Sequence, residues 1–516
     1  MSILGYEDME LQLPEMPTII SGCRNIWWYA VIVAACFLYW IFTRAEEPVI
    51  DIPVYTASKA KWMFSAETLI KDSYNKHLDR PYQIHATEGL QVLIPPRMVS
   101  EIKGLPEDVL SAGEAIAEVM QTPYTHFTAS HNTTLMTTII KTKLGQNIAR
   151  LTPQLRTELE HITATELPPC CDWTPIVFQP FALRAIARIS GRVFVGPDIN
   201  RKEAWLNTSI NYAVHVFLAV VKLQLFPAWL RPYGKFLVSE LGQIKRDEAL
   251  ATALLRPVIE DRLQEGEFGS GEKAPDDLIQ WFMDTLPESD RADVAVQAKL
   301  QLIVAAAAIH TTTNLLTDCM YDLAARPEVQ EMLREEAMAV LEVEGGWCSK
   351  DSLLKLRKMD SFIKEVQRLS GNITSFIRKV VKPINLSDGT HLPSGTKILA
   401  AQSGISHDPR FFHDPSTLDP LRFYKLREAF PRDANRWQFT ALNETSLNFG
   451  AGRHACPGRF LAANEVKLCL AYFLINYDIA LRQDEQRPKP FIMVMTKVPD
   501  PKAEVLLRRR EKGCVL

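Results

Sequence analysis

The densest chemistry in the chain lies at Phe449–Phe460, which reads FGAGRHACPGRF. The stretch follows a polar, irregular segment and precedes the apolar pattern Leu461–Leu474. Cys456 is therefore expected just before a helix, with Pro457 at the favoured first helical position. There a thiolate is stabilised by the helix dipole and by unpaired backbone N–H groups. Gly450 and Gly452 let the backbone approach a flat ligand and permit positive φ. Gly458 removes side-chain bulk beside the sulfur, and Arg453 is a candidate to reach an anionic group. One thiolate, shielded by glycines and Phe449 and lacking a partner cysteine, suits a metal already held by another ligand system. Haem bound through a single axial cysteine is that case. The bland alternative is a buried structural cysteine in a Gly-rich loop, against which the fixed F-G-x-G-R-x-x-C-x-G spacing argues.

Two further segments carry candidate chemistry. Ala292–Ala325 predicts one helix of 34 residues, closed by Arg326-Pro327. At ~1.5 Å per residue it would extend ~50 Å. Inside it lies Ala305-Ala306-Ala307-Ala308-Ile309-His310-Thr311-Thr312-Thr313. The alanines leave room for a planar cofactor, and the threonine hydroxyls can bond the preceding turn and loosen it enough to hold a water. The competing reading is a small-residue packing seam. Glu365-Val366-Gln367-Arg368 places opposite charges at i and i+3 on one helix face; alone, that is a solvated surface pair.

The elements that must position these residues are mostly helices. Helical patterns run over Pro106–Gln121, Asn132–Leu151, Thr174–Val193, Arg201–Leu223, Tyr233–Glu265, Pro275–Asp284, Ala292–Ala325, Glu328–Leu341 and Phe362–Leu369. Short strands are expected at Ile84–Ile94, Phe376–Val381, Lys397–Ala401 and around Phe491–Val498, with a hairpin turn at Asp388-Gly389. The fold class is mainly α with small β-sheets.

Near the N-terminus, residues 26–43 (IWWYAVIVAACFLYWIFT) contain no charge. They are long enough to cross a bilayer core, with Trp and Tyr at both ends. Basic residues beyond the segment outnumber the single Arg24 before it, which leaves the bulk of the chain in the cytosol. Residues 1–25 then form a luminal tail, 44–54 a Pro-containing linker and 55–516 the catalytic body. The chain has 516 residues, 47% of them hydrophobic and 23% charged, which excludes whole-chain disorder. A net charge of −3 gives no basic excess for nucleic acid. A mean hydropathy of −0.06 is too polar for a polytopic membrane protein. Nine sparse cysteines without a C-x-x-C pair exclude zinc-ribbon, thioredoxin and disulfide-scaffold readings.

FGAGRHACPG resembles the haem-binding signature of the cytochrome P-450 superfamily, and three other segments fit in order over about residues 54–500. Glu365 and Arg368 resemble the buried pair of that family. Asp419-Pro420-Leu421-Arg422-Phe423 resembles its P-x-R-F segment, which makes Arg422 the third member. Ala307–Thr311 resembles the oxygen-activation motif, with Ala308 replacing the usual glycine and His310 the usual acid. The resemblance assigns Thr311 and His310 to catalysis, His310 as proton relay or as a spectator bonded to backbone. It assigns Arg378 and Arg453 to haem propionates. No early W-x-x-x-R is found, and His131, Lys141, Lys143 and Arg150 stay open as substitutes. Substrate-pocket candidates are Ile303, Ala307, Thr311, Ser375, Phe376 and Val494.

The implied enzyme is a haem-thiolate monooxygenase containing haem b on Cys456. It inserts one oxygen atom from dioxygen into an apolar small molecule. Electrons come from NADPH through a separate cytochrome P-450 reductase, with a cytochrome b-type donor as a second source. The anchor resembles the microsomal type, implying a single-pass protein of the endoplasmic reticulum membrane. AAIHTT and the acidic N-terminus look closest to filamentous-fungal members of secondary metabolism. The expected substrate is a terpenoid: an indole diterpene, diterpene or meroterpenoid. A polyketide is the alternative. Further rivals are a haem-thiolate isomerase or dehydratase that uses no dioxygen, and a non-catalytic haem-binding membrane protein.

Overall fold

The computed structural model describes residues 50–56, 59–86, 89–127, 133–268, 275–344, 352–493 and 496–511. The expected tail, the membrane span 26–43, most of the linker, His131 and Val494 lie outside the described residues. Chain contacts gather Pro48–Leu516 into one unit.

Ten helices carry the architecture: α1 (Ala66–Lys76), α2 (Ala112–Val119), α3 (Gly145–Glu166), α4 (Phe178–Phe194), α5 (Glu203–Leu225), α6 (Glu240–Phe268), α7 (Val294–Ala324), α8 (Pro327–Val343), α9 (Arg357–Ser370) and α10 (Arg459–Asn476). The strands are β1 (Val54–Tyr55), β2 (Tyr82–Ala86), β3 (Gly89–Ile94), β4 (Leu110–Ser111), β5 (Thr174–Val177), β6 (Ser375–Val380), β7 (Ile384–Asn385), β8 (His391–Leu392), β9 (Lys397–Ala400), β10 (Tyr477–Ala480), β11 (Phe491–Met493), β12 (Thr496–Val498) and β13 (Glu504–Arg509). The largest sheet has the order β1-β2-β3-β9-β6-β4 and, with α1, encloses one core. The helices enclose a second and larger one.

α7 crosses that larger core, packed by α4, α5, α6, α9 and α10. Its 31 residues extend roughly 47 Å. Asp293 caps it, its side chain accepting from the amides of Ala295 (2.8 Å) and Val296 (3.2 Å). Pro327, just beyond its end, opens α8. α5 and α7 are apolar enough to span a membrane by composition. Yet 50% and 61% of the relevant windows are buried within the protein, as in core helices.

The helical expectation fails at three places, at two of which a strand competes. Leu110–Ser111 pairs antiparallel with β6, so the helix predicted from Pro106 starts only at Ala112, where the Ser111 hydroxyl accepts from the Glu114 amide. Thr174–Val177 pairs with β13, so that helix starts at Phe178. Its β-branched Thr174, Ile176 and Val177 favour a pleated surface, and Glu504–Arg509 supplies a partner that local pattern does not reveal. Residues 228–237 form short turns, and α6 starts only at Glu240. The predicted Asp388-Gly389 turn does join β7 to β8, with Gly389 at φ 89°.

Candidate active site

The cysteine loop is closed by its own backbone. The Cys456 amide donates to the Phe449 carbonyl (2.7 Å) and the Gly450 amide to Leu447 (2.8 Å). Gly450 and Gly452 have φ 72° and 65°, a region costly for residues with a Cβ. A Cβ on Gly452 would stand 2.2 Å from the Lys103 carbonyl oxygen. The close approach that this glycine permits is thus to the chain's own segment 103, not to a ligand. Gly458 caps α10, which begins at Arg459, so Pro457 lies outside the helix and not at its first position. A Cβ on Gly458 would meet nothing within 4 Å. The Phe449 ring packs edge-on against Phe439, with centroids 5.2 Å apart.

Cys456 is half-buried. Burial pushes its thiol above the ordinary value, against the opposing pull of the Gly458 and Arg459 amides and the Arg459 guanidinium. The helix end alone therefore does not hold a thiolate here, contrary to the sequence argument. An electron acceptor at the sulfur would, since coordination deprotonates a thiol outright.

Beside this loop sits a buried guanidinium. Arg378, 6% exposed, donates to the Ile377 carbonyl (2.8 Å) and the Ala451 carbonyl (3.3 Å) and lies over the Phe376 ring (4.3 Å). No carboxylate forms an ion pair with it among the described residues, and burial lowers its pKa to about 10. Phe376 and Ser375, the strand residues expected to line a pocket, are both buried. Phe376, at φ 55°, supports Arg378, while the Ser375 hydroxyl donates to the Leu447 carbonyl (2.7 Å).

Arg453 points away from this pair: it is exposed and donates to the Gly104 carbonyl (3.2 Å). Its neighbour His454 turns inward instead. The ring is half-buried, 2.8 Å from Glu107, and near enough to Arg378 for that charge, together with burial, to lower its pKa. Sequence reasoning missed His454. The only signal was that Arg453 and His454 are adjacent in an irregular loop, where one residue faces in and the next faces out. Of the early candidates, Lys141 reaches the loop, its Nζ donating to the Arg453 carbonyl (2.8 Å). Lys143 is exposed, and Arg150 pairs with Asp276 elsewhere.

On α7, Ala307 and Thr311 are exposed although the surrounding helix is buried. They stand four residues apart, on one face with buried Ile303, and this face opens onto space within the body. The Thr311 hydroxyl donates to the Ala307 carbonyl (2.8 Å), as the sequence predicts. His310 is half-buried, its Nε2 3.0 Å from the Ile210 carbonyl of α5.

The structure brings Glu365, Arg368 and Arg422 together. Glu365 is fully buried. Its Oε1 accepts from Arg368 Nη2 (2.8 Å), Arg422 Nε (3.0 Å) and the Asp419 amide (3.1 Å); Oε2 accepts from Arg368 Nε (2.9 Å). Arg368 also donates to the carbonyls of Ser406 and Pro415. From the end of α9 the order passes to the cysteine loop. The Asn448 side-chain oxygen accepts from the Asn372 amide (2.9 Å), and Gln402 accepts from the Leu447 amide (2.9 Å).

These residues fit a planar, metal-bearing anion. A soft donor lies on a closed loop, a buried cation beside it makes no ion pair among the described residues, and a small-residue face is left uncovered in the middle of a core helix. Among the described residues no group of three or more His, Cys, Asp or Glu could hold a bare metal ion.

The comparisons agree with this geometry. The family model described as "Cytochrome P-450" matches residues 128–507. The chain is 36% identical over 504 residues to cytochrome P-450 monooxygenase BOA4 of Botryotinia fuckeliana, covering 97% of this chain and 98% of that one. It is 33% identical over 490 residues to cytochrome P-450 monooxygenase prx8 of Penicillium rubens (94% and 90%). It is also 33% identical over 499 residues to cytochrome P-450 monooxygenase braC of Annulohypoxylon truncatum (94% and 98%). A solved structure, the retinoic-acid-bound cyanobacterial CYP120A1, superposes with a TM-score of 0.67 at 15% identity, over 90% of this chain and all of that one. That likeness speaks for the fold.

Proposed function

The chain belongs to the cytochrome P-450 family and is a monooxygenase; from that premise we propose that Cys456 is the axial haem ligand and that the substrate is an apolar terpenoid of fungal secondary metabolism. The observation that carries the site assignment is the buried Arg378, in no ion pair among the described residues and bonded to the same loop as Cys456. Haem b, when bound, supplies dioxygen activation and transfer of one oxygen atom to a C–H bond.

The protein's own residues do the rest. Cys456 Sγ holds the iron. Arg378 would hold a carboxylate of the group and fix its orientation, with His454 beside it and Lys141 bonded to the same loop. Ala307 and Ala308 keep the face of α7 flat. Thr311 keeps a hydroxyl at that face, anchored through its own proton to the Ala307 carbonyl, with lone pairs free to accept from a water and so hold it in place; it passes a proton on only by releasing that carbonyl. Electrons come from NADPH through a separate reductase, a reading supported by the lack of any flavin or nicotinamide fingerprint in the sequence.

Residues 26–43 anchor the chain in the endoplasmic reticulum membrane, with the body in the cytosol. The apolar surface at Leu225, Tyr233, Phe236 and Leu237 supports a lipid-facing role: Phe236 and Leu237 are 81% and 77% exposed, beside Lys235.

Two measurements bear on the site. Arg378→Leu should speed haem loss to apomyoglobin by about 10- to 100-fold, the worth of a charge-assisted bond, without lowering the melting temperature of the haem-free form. Unchanged haem loss removes Arg378 from the site. Thr311→Val keeps the side-chain volume but removes the hydroxyl. It should keep NADPH consumption and lower product formed per NADPH by about a hundredfold. The substrate is tested by expressing the chain with a reductase and supplying terpenoid and polyketide precursors separately. NADPH-dependent gain of one oxygen on a terpenoid supports the proposal; turnover confined to polyketides overturns it.

A further inference from the structure

Where the haem-site reading places the oxygen-handling helix, we propose that His310 is a positioning residue that latches α5 onto α7 beside Thr311 and takes no part in proton delivery. The imidazole Nε2 lies 3.0 Å from the Ile210 carbonyl oxygen in the middle of α5. A carbonyl only accepts, so Nε2 carries the hydrogen. Ile210 lies inside a continuous helix, and its second lone pair is free to take this bond.

The rest of the ring's surroundings point the same way. Burial lowers the His310 pKa, and the Ile210 carbonyl is the partner that opposes it. The ring is therefore neutral, with Nε2 as its donor and Nδ1 bare. Such a ring can hand on a proton only by leaving the carbonyl or by first becoming charged, which burial opposes. His310 and Thr311 are also separated by one residue, ~100° around the helix, so ring and hydroxyl face different ways.

This bond is the only side-chain hydrogen bond between α5 and α7 among the described residues. Elsewhere α5 buries apolar side chains such as Leu206, Ala213 and Val216, and its other polar ties run to α6, from His215 to Asp247 and Tyr212 to Glu248, and to α4, from Glu203 to Arg184 and Arg188. Apolar packing fixes how closely two helices lie, but it lets them slide by small steps. A directional bond at one point fixes the register. His310 thus sets where α5 lies along the helix that carries the Ala307–Thr311 face. An acid at position 310 could not do this, because an ionised carboxylate has no proton to give a carbonyl.

The test is hydrogen–deuterium exchange on the full-length, haem-loaded chain, with the binding of 1-phenylimidazole as a probe of the space over the haem. His310→Ala should speed exchange of α5 amides around 206–214 by about tenfold, the loss of one hydrogen bond, and weaken the probe to a similar degree. Exchange in α4 and α10 should stay the same. His310→Gln retains an N–H donor and should restore both readouts to within about twofold. His310→Leu fills the space without a donor and should behave like His310→Ala, which covers the case that the smaller residue does not fold. The latch is overturned if α5 exchange is unmoved in both donor-free variants, or if His310→Gln is as disturbed as they are. Neither readout uses turnover, so a failure of the monooxygenase reading would appear separately, as a missing haem-thiolate carbon monoxide band in the unaltered protein.

Discussion

Cys456→Ser yields a folded protein that has lost the reduced carbon monoxide band of a haem thiolate and oxidises no substrate. Serine is nearly isosteric, and the bond that shapes the loop, from the residue 456 amide to the Phe449 carbonyl, is backbone and survives. The melting temperature of the haem-free form should therefore move little. The loss at the metal is large. Partners that merely orient a metal ligand are worth about 10- to 100-fold in affinity, and the only protein ligand is worth more. The half-buried thiol, its pKa raised by burial, would lose its proton to solvent when the sulfur binds a metal. A serine hydroxyl, far less acidic, gives up its own less readily. Difference spectra and pyridine haemochrome content check this. A band of unchanged position and height would remove Cys456 from the iron.

Glu365→Ala should leave little or no haem-loaded protein. Four hydrogen bonds converge on a carboxylate with no solvent exposure, two from Arg368, one from Arg422 and one from the Asp419 amide. Removing it leaves two buried guanidinium groups without their acid, at a cost of about 3–5 kcal/mol. Domains of ordinary stability have only about 5–15 kcal/mol in total. Soluble yield and haem content per mole of protein are the measurements. Normal haem content in that variant would show that the triad does not hold the loop. Glu365→Gln retains the shape but not the charge and should fall between the two.

Legibility in the sequence followed locality. The cysteine loop, the Glu365–Arg368 spacing and the long alanine-rich helix each announce themselves within a few residues, because each depends on contacts along its own segment. Arg422 was reachable through its own short pattern. What stayed hidden depends on distant partners. β5 forms because Glu504–Arg509 lies beside it. Phe376 adopts φ 55° and places its ring under Arg378 at a bulge between β6 and β9. Arg453 faces out and the unanticipated His454 faces in because both meet segment 103–107, far away in the chain. His310 illustrates the same limit: its type was readable, but its partner on α5 was not.

That segment has a consequence for how the protein comes into being. Lys103, Gly104, Glu107 and Lys141 meet Gly452, Arg453 and His454 across more than three hundred intervening residues. During synthesis the early half of this seam leaves the ribosome long before the late half exists. Closing so wide a chain loop is slow more than it is costly, since each doubling of loop length adds only about 0.6 kcal/mol. The cysteine loop therefore gains these supports only after nearly the whole polypeptide has been made, and a nascent chain stalled before residue 452 has segment 103–107 but nothing to set against it.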